Sequence, residues 1–196
     1  STEALFAHIP GLRVVIPSSP ARAYGLLLGS IRNPDPVIFL EPTRLYRLNK
    51  QKVADTGEAL PLDKSFILRE GNDITLISWG SMLHETSLAA DKLLQEKGLY
   101  AEVIDVATIK PLDINTLLTS VEKTGRCIII HEAARYCGVG AEIVAQLSEK
   151  AFLFLQAPLQ RVTGYDVTVP YAQLEKQYLP SVTRIYNVIE QTLEFT

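Results

Sequence analysis

The chain has 196 residues, 47% hydrophobic and 21% charged, and its 19 Lys plus Arg against 22 Asp plus Glu leave a net charge of −3. That balance fits a globular chain able to bury a core and excludes collagen-like, coiled-coil and disordered readings. Like charges run no further than two or three residues, which argues against nucleic acid or an anionic membrane surface as a partner.

No apolar stretch reaches the ~18 residues of a spanning helix, and Ser1-Thr-Glu-Ala is nothing like a signal peptide. The expected location is therefore bacterial cytoplasm or, with an address removed, the mitochondrial matrix. Two cysteines, Cys127 and Cys137, and three scattered histidines, His8, His84 and His131, exclude a disulfide framework and show no zinc-ligand spacing.

In chain order, Leu5 to His8 has the pattern of a helix end, Val14 to Ile16 of a strand, Ala21 to Ile31 of a helix and Val37 to Leu40 of a second strand. Such a bare βαβ unit is too small to hide its own apolar surface, so it is expected to belong to a larger domain. From Pro42 to about Asp63 the chain turns polar, through Lys50, Gln51, Lys52, Asp55, Thr56 and Gly57, and reads as a linker.

Beyond Gly71 the apolar period alternates between strand and helix. Ile74 to Ser78 is a β-branched run ending at Trp79-Gly80-Ser81, and Ala90, Leu93, Leu94 and Lys97 share a helix face that Gly98 stops. Glu102 to Val106 is the next strand. Asp113 caps a helix with Ile114, Leu117, Leu118 and Val121 at i, i+3, i+4 and i+7, which Gly125 ends. Cys127 to His131 is a third strand, Ala141 to Ala151 a helix, and Phe152 to Gln156 is expected to be a fourth strand. After an irregular stretch through Tyr165, Pro170 and Tyr171, Ser181 caps a last helix with Val182, Ile185, Ile189 and Leu193 facing inward. Continuous apolar strands separated by helices predict an α/β fold: a three-layer, mostly parallel sheet covered on both faces.

Ligands gather beyond the carboxyl ends of the strands in such sheets, which draws attention to Trp79-Gly80-Ser81, Ala107 to Ile109, His131-Glu132-Ala133 and Val162-Thr163-Gly164. His131 at a strand end suits proton transfer or anion binding, and equally suits a hydrogen-bonded structural histidine. Gly138-Val-Gly140 precedes a helix, but Ile143 stands where a dinucleotide fingerprint has its third glycine, so a tight turn is favoured over a phosphate loop. Cys137 with His131 has the elements of a nucleophile and base but lacks a visible orienting group, so a plain thiol is the better reading. No phosphate-gripping Gly-x-x-x-x-Gly-Lys loop, Gly-x-Ser-x-Gly elbow or His-Glu-x-x-His helix occurs.

Several strings, in order across nearly the whole chain, resemble the β subunit of the thiamine-diphosphate-dependent 2-oxo acid dehydrogenases of pyruvate and branched-chain type. They are Ser1-Thr-Glu-Ala-Leu-Phe-Ala-His8-Ile-Pro-Gly-Leu, Val15-Ile-Pro-Ser, Gly25-Leu-Leu-Leu, Asp35-Pro-Val-Ile-Phe-Leu-Glu-Pro, Leu45-Tyr-Arg and Arg69-Glu-Gly-Asn-Asp-Ile-Thr-Leu. Val103-Ile-Asp-Val, Lys123-Thr-Gly-Arg, His131-Glu-Ala, Gln156-Ala-Pro-Leu-Gln-Arg-Val and Gly164-Tyr-Asp complete the set.

The resemblance implies that residues 1–45 are the C-terminal remnant of a pyrimidine-binding domain, 46–64 a linker and 65–196 a transketolase-type C-terminal domain. It also implies that the groups reacting with thiamine diphosphate and magnesium lie outside these residues, on the absent part and on an α subunit. This portion is then inactive alone and supplies subunit interface and docking for an enzyme that decarboxylates a 2-oxo acid and passes the acyl group to lipoyl-lysine. The pyruvate type is the leading expectation and the branched-chain type its alternative. A free-standing nucleotide-binding module using Gly138 and Gly140 is a reading of another class.

Two sites are carried over from the family. A structural potassium ion is held there largely by main-chain carbonyls, at positions matching Ser30, Asn33 and Asp35, although the order of the last two is exchanged here around Pro34. The basic subunit-binding domain of the dihydrolipoyl acyltransferase docks on acidic groups near the end of the β subunit, matching Glu190, Glu194, Phe195 and Thr196. The implied partners are the dehydrogenase α subunit, a second β subunit and that subunit-binding domain, with no nucleic acid and no membrane.

Overall fold

The computed structural model describes residues 2–48, 50–171 and 173–195. A first unit consists of helix α1 (Glu3–Ala7), strand β1 (Arg13–Val15), helix α2 (Pro20–Arg32), strand β2 (Val37–Phe39) and the single turn α3 (Leu45–Leu48). Ser19 opens α2 by accepting the Arg22 N–H on its hydroxyl, with Pro20 at the first helical position, where a missing N–H costs nothing.

The second unit holds strands β3 (Phe66–Arg69), β4 (Ile74–Ser78), β5 (Ala101–Asp105), β6 (Thr108–Lys110), β7 (Cys127–Ala134) and β8 (Gln160–Gly164). Its helices are α4 (Met82–Lys97), α5 (Ile114–Thr124), α6 (Val139–Ala151), the short α7 (Glu175–Tyr178) and α8 (Val182–Leu193). Five strands form one sheet in the order β3-β5-β4-β7-β8, parallel except for the edge strand β3.

Strand alternation divides the core between two faces. Ile74, Leu76, Ile128 and Ile130 point toward α4 and α8, where they meet Leu93, Ile185 and Ile189. Ile77, Cys127 and Ile129 point the other way, onto Leu117, Val121, Ile143 and Leu147 of α5 and α6. Full burial of each such side chain stabilises by about 1.5–3 kcal/mol, so the two faces hold the sheet between helical layers. The expected three-layer, mostly parallel α/β architecture is present. The caps match as well: Asp113 accepts the Thr116 N–H, Ser181 accepts the Arg184 N–H, and Gly98 and Gly125 end their helices in the left-handed conformation.

One expected strand is misplaced. Helix α6 runs to Ala151 and tightens directly into a 3-10 turn over Phe152–Phe154, leaving no chain to turn back into the sheet. Leu153 there is 91% exposed, and the fourth parallel strand forms only at Gln160–Gly164, beyond Pro158. Strand β7 also runs to Ala134, so His131 lies inside a strand rather than at its end.

Strand β6 leaves the large sheet and pairs antiparallel with β1, giving a second sheet in the order β2-β1-β6. The polar segment after Pro42 has no regular structure from residue 50 to residue 61, yet its end packs on α2: the Leu60 N–H donates to the Gly25 carbonyl at 2.9 Å, and Leu62 is buried beside Leu26 and Val15. Among the described residues, no helix is long and apolar enough to cross a membrane.

Candidate functional site

The strand order reverses between β4 and β7, the place where an open α/β sheet parts its loops and leaves a crevice. Trp79, Gly80 and Ser81 follow β4 there, beside His131 and Glu132 of β7. Gly80 has φ +57°, the left-handed region that favours glycine, and this lets the chain turn from strand into α4. The turn buries Trp79, whose indole stacks on the His131 imidazole and donates through Nε1 to Glu3 Oε1 of α1 at 3.4 Å. Ser81 donates its hydroxyl to Glu132 Oε2 at 2.6 Å.

His131 and Glu3 are fully buried. Neither ring nitrogen of His131 has a hydrogen-bond partner, and Glu3 Oε2 is likewise without one. Burial is the main cause lowering the His131 pKa to about 4, assisted by the positive charges of Arg161 and Arg135. Burial also raises the Glu3 carboxyl above the usual carboxylate range. Both groups are thus biased to their neutral forms. Gly140 completes the enclosure, because a Cβ there would stand 2.6 Å from His131 Nε2. This arrangement joins α1, β4, β7 and α6 as a buried seam. Cys137 is exposed, with φ +53°, and no hydrogen bond joins its thiol to His131. Gly138 caps α6 and Gly140 lies within its first turn.

The positions matched to potassium form an Asx turn. Asn33 Oδ1 accepts the Asp35 N–H at 2.9 Å, the Ser30 carbonyl accepts the Asn33 N–H at 3.3 Å, and Asp35 Oδ2 pairs with Arg13 Nε at 3.0 Å. The Ser30 hydroxyl donates to the Leu26 carbonyl. The Asn33 and Asp35 side chains and the Ser30 hydroxyl are thus engaged locally, Asp35 with a guanidinium.

At the end of α8, Glu190 is 2.9 Å from Lys97 Nζ and Glu194 is 4.0 Å from it, while Phe195 is half exposed. Hydrogen bonding to Glu190 raises the Lys97 pKa. Thr196 lies outside the described residues. The docking patch expected from the sequence therefore carries an internal cation that offsets part of its charge.

Two polar groupings were not visible in the sequence. Asp105, fully buried at the end of β5, accepts from the Ser18 hydroxyl and, at 3.1 Å, from the Ala107 N–H, with Arg22 Nε at 3.9 Å. Burial pushes its pKa up to about 6 against the pull of Ser18 and Arg22. The other is a group of three arginines, Arg135, Arg161 and Arg184, around a cleft beside β8. Each grouping draws residues from separate segments, so no local spacing announces it. A cavity of about 640 Å³ between α2, the 51–60 segment and α4 is lined by none of the residues singled out from the sequence as site candidates.

Residues 63–185 match the family model of the transketolase C-terminal domain, and residues 1–49 that of the transketolase pyrimidine binding domain. The chain belongs to the transketolase C-terminal domain family. Among curated proteins it is 45% identical over 193 residues to the pyruvate dehydrogenase E1 component subunit beta of Staphylococcus aureus (strain N315), covering 98% of this chain and 59% of the relative. The subunit of the same name from Staphylococcus epidermidis (strain ATCC 12228 / FDA PCI 1200) is 46% identical over the same length and coverage. A solved structure described as a split gene transketolase, inactive beta4 tetramer, aligns with TM-score 0.81 and 25% identity, covering 98% of this chain and 61% of that one. The chain thus spans about three fifths of the length of the curated relatives it matches.

Proposed function

We propose that this chain is the C-terminal part of the β subunit of a pyruvate dehydrogenase, contributing subunit interface and docking surface rather than reacting groups. The carrying observation is 45–46% identity to pyruvate dehydrogenase E1 β subunits over 98% of the chain. The packing of Trp79, His131 and Glu3 into a buried seam between elements supports a structural role for the crevice.

Thiamine diphosphate and magnesium are assigned to the assembled enzyme, where the cofactor supplies the carbanion chemistry that decarboxylates a 2-oxo acid. No step of that chemistry is assigned to residues of this chain. The proposed partners are the dehydrogenase α subunit, a second β subunit and the basic subunit-binding domain of the acyltransferase, the last meeting Glu190, Glu194, Phe195 and Thr196. The bacterial relatives support a cytoplasmic location.

The test is to reconstitute the full-length β subunit with its α partner and assay pyruvate beside 3-methyl-2-oxobutanoate. Turnover of pyruvate by the pair, and of neither acid by the 196-residue chain alone, is expected. Preference for the branched acid moves the assignment to the branched-chain enzyme. Failure to pair with α, or turnover by the chain alone, overturns it.

A further inference from the structure

The cleft between the end of β7, strand β8 and the first turns of α8 has a volume of about 350 Å³ and is walled by Arg135, Arg161 and Arg184, with Tyr165 and Asp166 at the same cleft. None of the three guanidiniums has a carboxylate within salt-bridge distance among the described residues, although the chain as a whole carries more acidic than basic groups.

The three are held in place by carbonyls. Arg135 Nη1 donates to the Arg161 carbonyl at 2.9 Å, and Arg161 Nη1 donates to the Arg135 carbonyl at 3.0 Å, a reciprocal pair between the residue that follows β7 and strand β8. Arg184 Nη2 donates to the Thr163 carbonyl at 2.8 Å, its Nη1 faces the Tyr178 and Leu179 carbonyls, and its guanidinium lies 4.4 Å from the centre of the Tyr165 ring. These bonds use only some of the five N–H groups each guanidinium offers, leaving a preorganised set of donors.

Three like charges with a single carboxylate among them repel, most where Arg161 and Arg184 are partly buried and least at the exposed Arg135. Burial and the charge of Arg135 lower the Arg161 pKa, while Asp166 opposes that shift. Asp166 is partly committed elsewhere, since its Oδ1 accepts the Tyr136 N–H at 2.8 Å. Three cations against one carboxylate leave the lining with a formal excess of two positive charges. Arginine forks match the oxygen geometry of phosphate, and charge-assisted bonds of that kind are about twice as strong as neutral ones.

We propose that this cleft is a binding site for a phosphate-bearing ligand, with Arg135 and Arg161 gripping the phosphate oxygens and Arg184 with Tyr165 closing the opposite wall. The cleft lies at the small end of the range for small-molecule pockets, which suits a phosphate or a compact phosphate ester. The site is independent of the pyruvate dehydrogenase reading and persists if that reading fails.

Inorganic phosphate is the probe, titrated calorimetrically into the purified protein at low ionic strength, with acetate at equal ionic strength as the carboxylate arm. One saturable phosphate site is expected, and phosphate should protect Arg135 and Arg161 from phenylglyoxal modification as mapped by mass spectrometry. Arg135→Gln should weaken phosphate binding about tenfold, the loss of one charge-assisted pair. Asp166→Asn should strengthen it, an effect that damage to the fold does not produce. Circular dichroism checks each variant, and the protection experiment on the unmodified protein needs no variant. Absence of saturable phosphate binding, equal protection by acetate, or unchanged affinity in a folded Arg135→Gln protein overturns the proposal.

Discussion

The Trp79 indole and the His131 imidazole stack with centroids 5.2 Å apart and planes 13° from parallel. Trp79 is the sole tryptophan of the chain, so its emission reports directly on the ring beneath it. A protonated imidazole quenches indole fluorescence, whereas a neutral one quenches little. With burial and the neighbouring arginines lowering the His131 pKa to about 4, the quenching step should appear near pH 4. A step centred near the ordinary histidine value in a folded protein would show that the ring is hydrated and the seam open.

Asp105 acts in the opposite sense. Its pKa is raised to about 6 in the folded chain from an ordinary 3.8, so its contribution to stability is complete below pH 3.8 and is lost as pH rises through about 6. His131 has a lowered pKa, and its contribution is complete above pH 6.5 and lost as pH falls toward 4. Between pH 4 and 6 the two slopes oppose each other. Asp105→Asn should remove one of them, so that denaturant midpoints rise more steeply between pH 4 and pH 7 than in the unmodified protein. The difference is about 3 kcal/mol across that interval. Parallel pH profiles for the two proteins would contradict this account.

Gly71 and Gly98 should respond differently to alanine. A Cβ on Gly71 would meet the Ala101 carbonyl carbon at 2.3 Å and the Glu102 nitrogen at 2.4 Å, all main chain of the neighbouring strand, which cannot step aside without moving β5. A Cβ on Gly98 meets nothing within 4 Å and costs only the strain of φ +67°, about 1 kcal/mol. Thermal unfolding should therefore place Gly71→Ala well below Gly98→Ala, by about 1–3 kcal/mol of overpacking. Equal melting temperatures would mean that the approach of Gly71 to β5 is looser than described.

Lys97 bears on the proposed acidic docking patch. Its ammonium sits 2.9 Å from Glu190, so Lys97→Ala should release that carboxylate and speed association with a basic subunit-binding domain, about threefold at low salt. Glu190→Ala should slow it, and both effects should fade as salt is added. Stopped-flow association rates that ignore both substitutions would place docking elsewhere on the β subunit.

The layered sheet could be read from the sequence because its signals are local. Ile74 to Ser78, Cys127 to His131 and the helix caps Asp113, Gly98, Gly125 and Ser181 each announce themselves within a few residues. The errors lie where a distant partner decides. Phe152-Leu-Phe154 has the texture of a strand, but α6 ends too late to leave room for one. The three-residue strand β6 exists because β1 is there to pair with it, and β3 because β5 has a free edge. His131 stands out by type and position, but its stacking on Trp79 and its enclosure by Gly140 depend on α1 and α6 converging on it. The arginine cleft gathers residues 135, 161 and 184, which no single window spans.

The pairing of β6 with β1 has a mechanical consequence. Val14 stands opposite Lys110 and Val15 opposite Thr108, the Ile16 N–H donates to the Ala107 carbonyl at 2.7 Å, and Lys110 Nζ reaches the Ala7 and Ile9 carbonyls. The amino-terminal unit is therefore stitched to the carboxyl-terminal one through backbone, and swinging them apart would tear a ladder rather than bend a tether. Forces applied to either unit pass to the other as through one solid piece, so any flexing an assembly built from this chain requires must be found at joints other than this one.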